Sequence, residues 1–232
     1  MNPWRQFWGR AHRIYVNDRH RVVHYRRVAD DILSVLPGRS DSTVLDYGCG
    51  DAFEAPRVAE RVQRLYLFDV VPEVVTRVRE RFVGEPKIAV LGESELAAVA
   101  PASIDLIVVN SVVQYLQAAE LTAVLATARR LLRPDGTLVI ADIIDPDSGA
   151  IADVASLLRC AAGNGFLLAA LGGLVATFFS DYRRLRASVG LATYREAAFL
   201  RILNDAGFEA RRRPSNFGFN PQRMTFLATV RR

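Results

Sequence analysis

Residues 44–52 read Val44-Leu45-Asp46-Tyr47-Gly48-Cys49-Gly50-Asp51-Ala52, and this stretch decides the fold. An apolar strand runs into a loop that holds two glycines, with a carboxylate on either side of them. Because glycine lacks a Cβ, the backbone can turn sharply at Gly48 and Gly50, and a ligand can lie against the main chain at the N-terminus of the next helix. The pattern predicts a cofactor loop, although a plain turn between strand and helix would use the same residues.

A second marker lies at Asp69, 19 residues beyond Gly50. It follows an apolar strand over residues 65–68 and precedes a predicted helix that starts at Pro72. A carboxylate at a strand end, about 20 residues after the glycines, can accept both hydroxyls of a ribose. Asp69 could equally cap the following helix. Taken with the loop, it favours a ligand that contains a nucleoside.

Strands and helices keep alternating up to about residue 143. We predict further strands at residues 87–91, 104–110 and 137–143, and a last pair at residues 208–213 and 225–230. Thr193, with Glu196 at the capping-box spacing, is the expected N-cap of the helix before that pair. Short connections favour a parallel sheet covered on both faces, which binds ligands at the carboxyl ends of its strands. Side chains at or near those ends are Asp46, Asp69, Glu93, Asn110 and Asp142.

Residues 1–40 are predicted to form a helical arm, or lid, before the main domain of residues 41–232. His20 and His24 are four residues apart and share a helical face, but no third ligand can be named, so we expect no metal. The arm is expected to cover a ligand and to supply side chains to it. An amphipathic helix packed on the sheet is the open alternative. The candidate contacts are Tyr15, Asn17, His20, Tyr25 and Arg26.

Residues 145–191 break the alternation and are predicted to be a helical insertion. A helix is expected at residues 150–162, followed by an apolar segment at residues 165–179 with a polar end at residues 181–184. Gly172 and Gly173 would weaken a helix in that segment. The insertion could be a lid over an apolar substrate, with Phe166 in contact, a homodimer contact, a peripheral membrane contact or a helix of the core.

Composition limits the function classes. The 232 residues, half of them hydrophobic, suffice for one α/β domain with additions, and 29 Arg against the single Lys87 give a net charge of +5. Arginine clusters can attract anions, but a solvated surface is the simpler interpretation, and nucleic acid is not an expected partner. Two cysteines without zinc-site spacing, and an N-terminus unlike a signal peptide, favour the reducing cytoplasm. The longest apolar run, residues 166–179, is shorter than the roughly 20 residues that cross a bilayer.

The motifs resemble those of the class I S-adenosylmethionine-dependent methyltransferases over about residues 40–145 and 190–232. The markers are Asp46-x-Gly48-x-Gly50, Asp69, Gly92-Glu93-Ser94, the turn Leu131-Leu132-Arg133-Pro134-Asp135-Gly136-Thr137-Leu138 and Ala206-Gly207-Phe208. The resemblance implies an α/β fold: a Rossmann-like, seven-stranded, mostly parallel sheet with helices on both faces, an N-terminal helical arm and a helical insertion after strand 5. Phe53 stands where a dinucleotide loop has its last glycine, which favours S-adenosylmethionine over NAD.

The resemblance also implies roles for individual residues. Asp69 would hold the ribose and Glu93 with Ser94 would face the adenine. The full set expected to bind S-adenosylmethionine is Asp46, Gly48, Cys49, Gly50, Asp69, Val70, Glu93, Ser94, Asn110, Ser111 and Gln114. By chemistry alone, the candidates for a general base are His20, His24 and Tyr115. Tyr15, Tyr25, Arg26 and Phe166 are the candidate substrate contacts.

The expected activity is therefore methyl transfer to an oxygen or nitrogen of a small molecule that is apolar, lipid-like or aromatic. The segment Asn110-Ser111-Val112-Val113-Gln114-Tyr115 is similar to one in the N-methyltransferase domains of peptide-assembling synthetases, which tilts the expectation toward nitrogen. RNA or protein methylation, and a methyltransferase-like subunit that binds without catalysis, stay open as alternatives.

Overall fold

The computed structural model describes residues 3–9, 15–148, 150–178, 186 and 188–231. Its strands are β1 (Thr43–Tyr47), β2 (Arg64–Phe68), β3 (Ile88–Leu91), β4 (Ile104–Asn110), β5 (Leu132–Ile143), β6 (Phe208–Arg212) and β7 (Met224–Val230). They form one seven-stranded sheet in the order β3-β2-β1-β4-β5-β7-β6. β7 runs antiparallel to both of its neighbours, and the other pairs are parallel. The expected mostly parallel, seven-stranded α/β sheet is confirmed.

Helices cover both faces of this sheet. They are α1 (Pro3–Gly9), α2 (Asp18–Leu33), α3 (Ala55–Ala59), α4 (Pro72–Arg81), α5 (Glu93–Ala98), α6 (Ala118–Leu131), α7 (Ala150–Gly163), α8 (Leu167–Phe178) and α9 (Glu196–Asp205), with a short 3-10 helix at Val113–Tyr115. The central strand β4 shows why both faces of the sheet must be covered, since its residues 104–109 are buried without alternation. Such a continuous buried run is typical of a parallel strand with helices on both sides.

The strand order reverses between β1 and β4, which are neighbours in the sheet. After β1 the chain builds outward through β2 and β3, and it then returns to place β4 and β5 on the other side. The loops that leave β1 and β4 therefore diverge and open a crevice at their carboxyl ends. This switch point is where open α/β sheets bind ligands.

Two local predictions are wrong. Thr193 does not cap α9, because the chain before this helix is extended: Tyr194 N–H bonds to Ile144 O at 2.8 Å, and the N-cap is Arg195, with no side-chain capping bond. The expected turn at residues 133–136 lies within β5, which starts at Leu132. Leu132 pairs with Ile104, and the register then shifts before Leu106 pairs with Thr137. Residues 133–136 therefore form an irregular part of the strand instead of a separate turn.

The insertion contains α7 and α8, which contact each other. Phe166, at the junction, is buried with Cys160, Ala161 and Ala170. Leu168 of α8, by contrast, is 86% exposed. No helix in the described ranges combines the length and apolar character needed to span a membrane. The expected polar end at residues 181–184 lies outside the described residues.

Candidate functional site

A cavity of about 760 Å³ opens at the carboxyl ends of the central strands, over the switch point. It is lined by the glycine loop, by the ends of β2, β4 and β5, and by side chains of α1, α2 and α6. Of the residues predicted from the sequence, those that line it are Tyr15, His20, His24, Tyr25, Asp46, Gly48, Cys49, Gly50, Asp69, Val70, Glu93, Asn110, Ser111, Gln114 and Tyr115. The carboxyl ends of parallel strands thus bring most of the candidates together.

Four predicted residues lie elsewhere. Asn17 is the N-cap of α2, where its side-chain oxygen accepts from His20 N–H at 2.8 Å, and it is outside the cavity lining. Arg26 is exposed on α2, because it follows Tyr25 directly and so points about 100° away around the helix. Ser94 is exposed on the first turn of α5, outside the cavity lining. Phe166 stacks on the His20 ring, with centroids 5.2 Å apart, and is itself outside the cavity lining. These placements speak against direct ligand contact by the four side chains.

The glycine loop is held tightly against β2. Gly48 N–H and Cys49 N–H both donate to Phe68 O, at 2.7 and 3.0 Å. Gly48 and Gly50 have φ angles of +80° and +54°, in the left-handed region that favours glycine. A Cβ on Gly48 would also lie 2.4 Å from Cγ2 of Val112. A side chain at position 48 is therefore excluded both by backbone conformation and by space.

Asp69 ties the loop to the end of β2. Its two carboxylate oxygens accept from Gly50 N–H at 3.2 Å and from Val71 N–H at 3.0 Å. Burial raises the pKa of Asp69, and the backbone hydrogen bonds counteract part of that rise. Val71 is the N-cap of α4 and makes no side-chain capping bond. Asp69 therefore orders the loop and faces the cavity, and it is not the helix cap.

Asp46, near the end of β1, is a cavity carboxylate whose pKa is strongly raised. Removal from water raises its pKa from 3.8 to about 7, and the nearby charge of Asp69 adds to the rise. A carboxyl group titrating near neutrality in a cavity is a mark of functional sites. A cationic ligand would stabilise the ionised form.

Two amide oxygens, one at the end of β4 and one in the 3-10 helix that follows it, have no hydrogen-bond partner among the described residues. Asn110 Oδ1 and Gln114 Oε1 are buried, and neither accepts a hydrogen bond from the described residues. Gln114 is only 7% exposed, and both side chains line the cavity. Leaving a buried acceptor unpaired costs roughly 1–3 kcal/mol, so such atoms require an explanation.

The arm contributes a cluster of rings to the cavity wall. The Tyr15 ring contacts the rings of His20, His24 and Tyr25, with centroids 5.3 to 5.9 Å apart. Burial lowers the pKa of His20, and burial together with His20 lowers the pKa of His24 to about 4. Both imidazoles are therefore neutral at pH 7. Because His20 Nδ1 accepts from Val16 N–H at 3.3 Å, the proton of His20 belongs on Nε2.

Tyr25 latches α2 onto the glycine loop. Its hydroxyl oxygen accepts from Asp51 N–H at 3.2 Å and shares a hydrogen bond with Tyr15. The Tyr25 ring packs edge-on against Phe53, with centroids 5.2 Å apart. Cations flank Phe53 as well, with Arg81 3.9 Å and Arg21 4.8 Å from its ring centre. The arm is thus fixed to the loop by one hydroxyl and one aromatic ring.

Helix α1 supplies residues that the sequence did not single out for the site. Trp4 and Trp8 line the cavity and pack on the Tyr115 ring, with centroids 4.7 and 5.5 Å apart. Arg5 forms an ion pair with Glu120 of α6 at 3.4 Å. The two tryptophans close the cavity with apolar surface. Only their spacing near the start of a predicted helical arm could have suggested this position.

Asp142, which ends β5, is a further lining residue absent from the predicted site set. Its carboxylate accepts from Ser111 Oγ at 2.8 Å, and both residues have a positive φ, of +64° for Asp142 and +57° for Ser111. Left-handed backbone at a residue other than glycine costs of the order of 1–3 kcal/mol and tends to occur at functional sites. Its place at a strand end was the signal available in the sequence. In the described part of the chain, no group of three or more His, Cys, Asp or Glu is arranged to hold a metal.

Comparison with known proteins supports the same family. Residues 45–140 match the family model described as a methyltransferase domain. An uncharacterised methyltransferase of Mycobacterium tuberculosis is 27% identical over 124 residues, which are 53% of this chain and 60% of that protein. An uncharacterised protein from a transposon of Streptomyces fradiae is 34% identical over 122 residues, which are 51% of this chain and 34% of that protein. The chain therefore spans less than two thirds of the length of these curated relatives.

Solved structures share the fold at low sequence identity. Magnesium protoporphyrin IX methyltransferase from Synechocystis, crystallised with S-adenosylhomocysteine, has a TM-score of 0.57 at 19% identity, covering 99% of this chain and 93% of its own. A methyltransferase from Aquifex aeolicus has a TM-score of 0.57 at 18% identity, covering 94% and 98%. Residues 45–140 thus match a methyltransferase domain, and the seven-stranded sheet with the glycine loop at its switch point has the fold of these solved methyltransferases.

Proposed function

We propose that the chain binds S-adenosylmethionine in this cavity and transfers its methyl group to a nitrogen or oxygen of a small apolar, lipid-like or aromatic molecule. The observation that carries the proposal is the pair of buried, unpartnered amide oxygens of Asn110 and Gln114, beside Asp46 and Asp69. Buried acceptors without partners are rare in folded proteins, so a ligand with hydrogen-bond donors is their expected partner.

The polar groups fit this cofactor. Asp69 lies at the end of β2 and can accept the ribose hydroxyls, while Glu93 at the start of α5 can accept from the adenine amino group. Asp46 and Asn110 Oδ1 suit the ammonium group of the amino-acid part. The glycines let the backbone approach, because no Cβ separates the ligand from the main chain. Tyr25, anchored on Asp51 N–H, brings the arm against the same loop.

When bound, the cofactor supplies a methyl group that its sulfonium already activates. The residues of the chain would therefore act mainly by orienting the acceptor and by excluding water. Trp4, Trp8 and Tyr115 provide an apolar cover for that purpose. Both histidines are held neutral by burial: His20, with its proton on Nε2, can donate a hydrogen bond to the acceptor molecule, whereas His24 can accept one. With a pKa of about 4, His24 would be a weak general base at pH 7.

The charges inside the cavity favour a small acceptor over RNA. Of the four described arginines that line the cavity, Arg5, Arg77 and Arg223 are each paired with a carboxylate of the chain, at 3.4, 3.6 and 2.8 Å, and Arg130 donates to two backbone carbonyls. Guanidinium groups that are already neutralised offer little attraction to phosphates. If RNA were the substrate, affinity for it would fall steeply with added salt. A flat salt response would remove that alternative.

Calorimetric titration with S-adenosylhomocysteine tests the cofactor. We expect binding by the wild type, and at least ~10-fold weaker binding by Asp69→Ala, because the substitution removes the ribose acceptor and loosens the loop. Asp135→Ala, at an exposed position of β5 outside the cavity, is the matched control and should bind like the wild type. Absence of binding to the wild type would overturn the cofactor assignment.

The homodimer contact and the peripheral membrane contact remain proposals, and the exposed leucines of α8 are the surface that motivates them. Leu168, with Leu167 and Leu171, presents apolar surface that a second copy of the chain or a membrane surface could cover. A binding subunit without catalysis would use the same surface. Incubation with labelled S-adenosylmethionine and cell extract separates these functions, since only an enzyme produces a labelled small molecule.

A further inference from the structure

Ser111 and Asp142 form a strained pair at the ends of neighbouring strands. Both residues adopt a left-handed backbone, and Ser111 N–H bonds to Ala141 O at 3.2 Å while Ser111 Oγ bonds to Asp142 Oδ2. The side chains of both line the cavity. Strain of this kind persists only where the surrounding structure imposes it.

A buried polar network imposes it here. Asn216 is 9% exposed, and its Oδ1 accepts from Asp142 N–H at 3.3 Å and from Thr225 Oγ1 at 2.7 Å. Thr225, on β7, is fully buried and in turn accepts from Phe217 N–H at 3.0 Å. The β6–β7 connection thus holds Asp142 through Asn216, which bonds to both its backbone N–H and its carboxylate, and Asp142 lines the cavity.

The carboxylate of Asp142 lies near a cation, Arg223, that is ion-paired with another carboxylate. Burial raises its pKa, while Arg223 and the Ser111 hydroxyl lower it. Arg223 is itself bonded to Asp153 at 2.8 Å. Within the described ranges no Lys or Arg forms an ion pair with Asp142. Asp46, Asp69 and Glu93 lie over β1, β2 and α5, on the half of the cavity proposed for the cofactor, whereas Asp142 lies on the β5 side.

We infer that Asp142, oriented by Ser111, together with the amide oxygen of Gln114, binds the acceptor and selects a molecule that presents an amine. This inference rests on the proposed function and names its substrate class. Asp142 and Gln114 line the same cavity, and a carboxylate and an amide oxygen both accept hydrogen bonds, so a molecule with two or more N–H donors can bond to both. A hydroxyl has a single proton to offer, and a carboxylate ligand would be repelled by Asp142. Hydrogen bonds between an amine cation and a carboxylate are also the stronger kind, and the cation must pass one proton to that carboxylate before its nitrogen has the lone pair that attacks the methyl group.

The test compares three probes of one shape in the presence of saturating S-adenosylhomocysteine: benzylamine, benzyl alcohol and benzoate. Calorimetry should show that the wild type binds benzylamine at least ~10-fold more tightly than either of the other two. Asp142→Asn should lose at least ~10-fold in benzylamine affinity and keep its affinity for S-adenosylhomocysteine. Asp147→Asn, the same change at an exposed ion pair with Arg195, should keep both affinities.

Ser111→Ala provides a second variant in case Asp142→Asn does not fold. It retains the carboxylate but removes the hydroxyl that orients it, and we expect a loss of about threefold in benzylamine affinity. The inference is overturned if the wild type binds S-adenosylhomocysteine but shows no preference for the amine, including the case in which no probe binds. It is equally overturned if both folded variants bind benzylamine like the wild type. Failure of the wild type to bind S-adenosylhomocysteine would instead refute the proposed function.

Discussion

Asp46 offers a direct thermodynamic test of the cavity. We consider Asp46→Asn, which keeps the shape of the side chain and removes its titration. In the folded chain the pKa of Asp46 is raised from 3.8 to about 7, so the folded state holds this proton more tightly than the unfolded state. Between these two pKa values, folding takes up a proton. The free energy of unfolding of the ligand-free wild type therefore falls as the pH rises through this window.

The size of the effect follows from the shift. Each pH unit within the window is worth about 1.4 kcal/mol. From about pH 5.5 to about pH 7 the wild type should lose roughly 2 kcal/mol from this group, and little more above that, where both states are ionised. Asp69 and Asp142 act in the same direction, whereas His24, with its lowered pKa, stabilises the fold as the pH rises toward 6.5. These groups are present in both proteins, so the difference between wild type and variant reports Asp46 together with its electrostatic coupling to Asp69.

Urea unfolding at about pH 5.5 and about pH 8 measures the effect in both proteins. We expect the variant to gain roughly 2 kcal/mol relative to the wild type between the two conditions. The slope with denaturant should be the same in both, which would confirm that the same surface is exposed on unfolding. If the free energy of unfolding changed with pH in the same way in both proteins, the argument that burial raises the pKa of Asp46 would be refuted.

Three further substitutions test other features. Tyr25→Phe leaves Asp51 N–H without its acceptor and should weaken binding of S-adenosylhomocysteine about fivefold. Tyr66→Phe, outside the cavity lining, is the control and should bind like the wild type. Equal effects of the two substitutions would contradict the role of Tyr25 in holding α2 on the glycine loop. Gly48→Ala should lower the free energy of unfolding by roughly 1–3 kcal/mol in urea, while Gly38→Ala, with open space around it, should change it little. If Gly48→Ala left stability unchanged, the claim that the glycine loop has no room for a side chain would be refuted. Leu168→Asp should reduce sedimentation with anionic vesicles or shift a dimer to monomer in light scattering, and no change in either assay would remove α8 as a contact surface.

The sequence predicted the sheet well because its signals are local. Apolar strands that end in Asp46, Asp69 and Asn110 carry both the element and its polar end in a few adjacent residues. The mostly parallel sheet was expected from the order of these motifs and is confirmed, and the methyltransferase domain expected with it matches at residues 45–140. The roles of the single site residues stay predictions, although the cavity gathers most of them.

The wrong or missed predictions concern residues whose conformation depends on contacts with distant parts of the chain. Thr193 has the residue type of a cap, but pairing of Tyr194 with the end of β5 keeps that segment extended. Arg26 fails because neighbouring residues on a helix face different directions, and the helix phase is set by how α2 packs on the loop. The left-handed backbone of Asp142 depends on Asn216, 74 residues further on, which no local pattern reveals.

The strain at Ser111 and Asp142 has a consequence for the evolution of the chain. Glycine at either position would relieve the left-handed backbone and would be expected to raise stability by roughly 1 kcal/mol, after the entropy that glycine loses on folding. Selection for thermal stability alone should therefore find Ser111→Gly and Asp142→Gly early. The chain carries neither, so it forgoes stability that a single substitution would provide. Stabilised variants recovered at these two positions would reveal how much stability the chain gives up in order to keep polar side chains there.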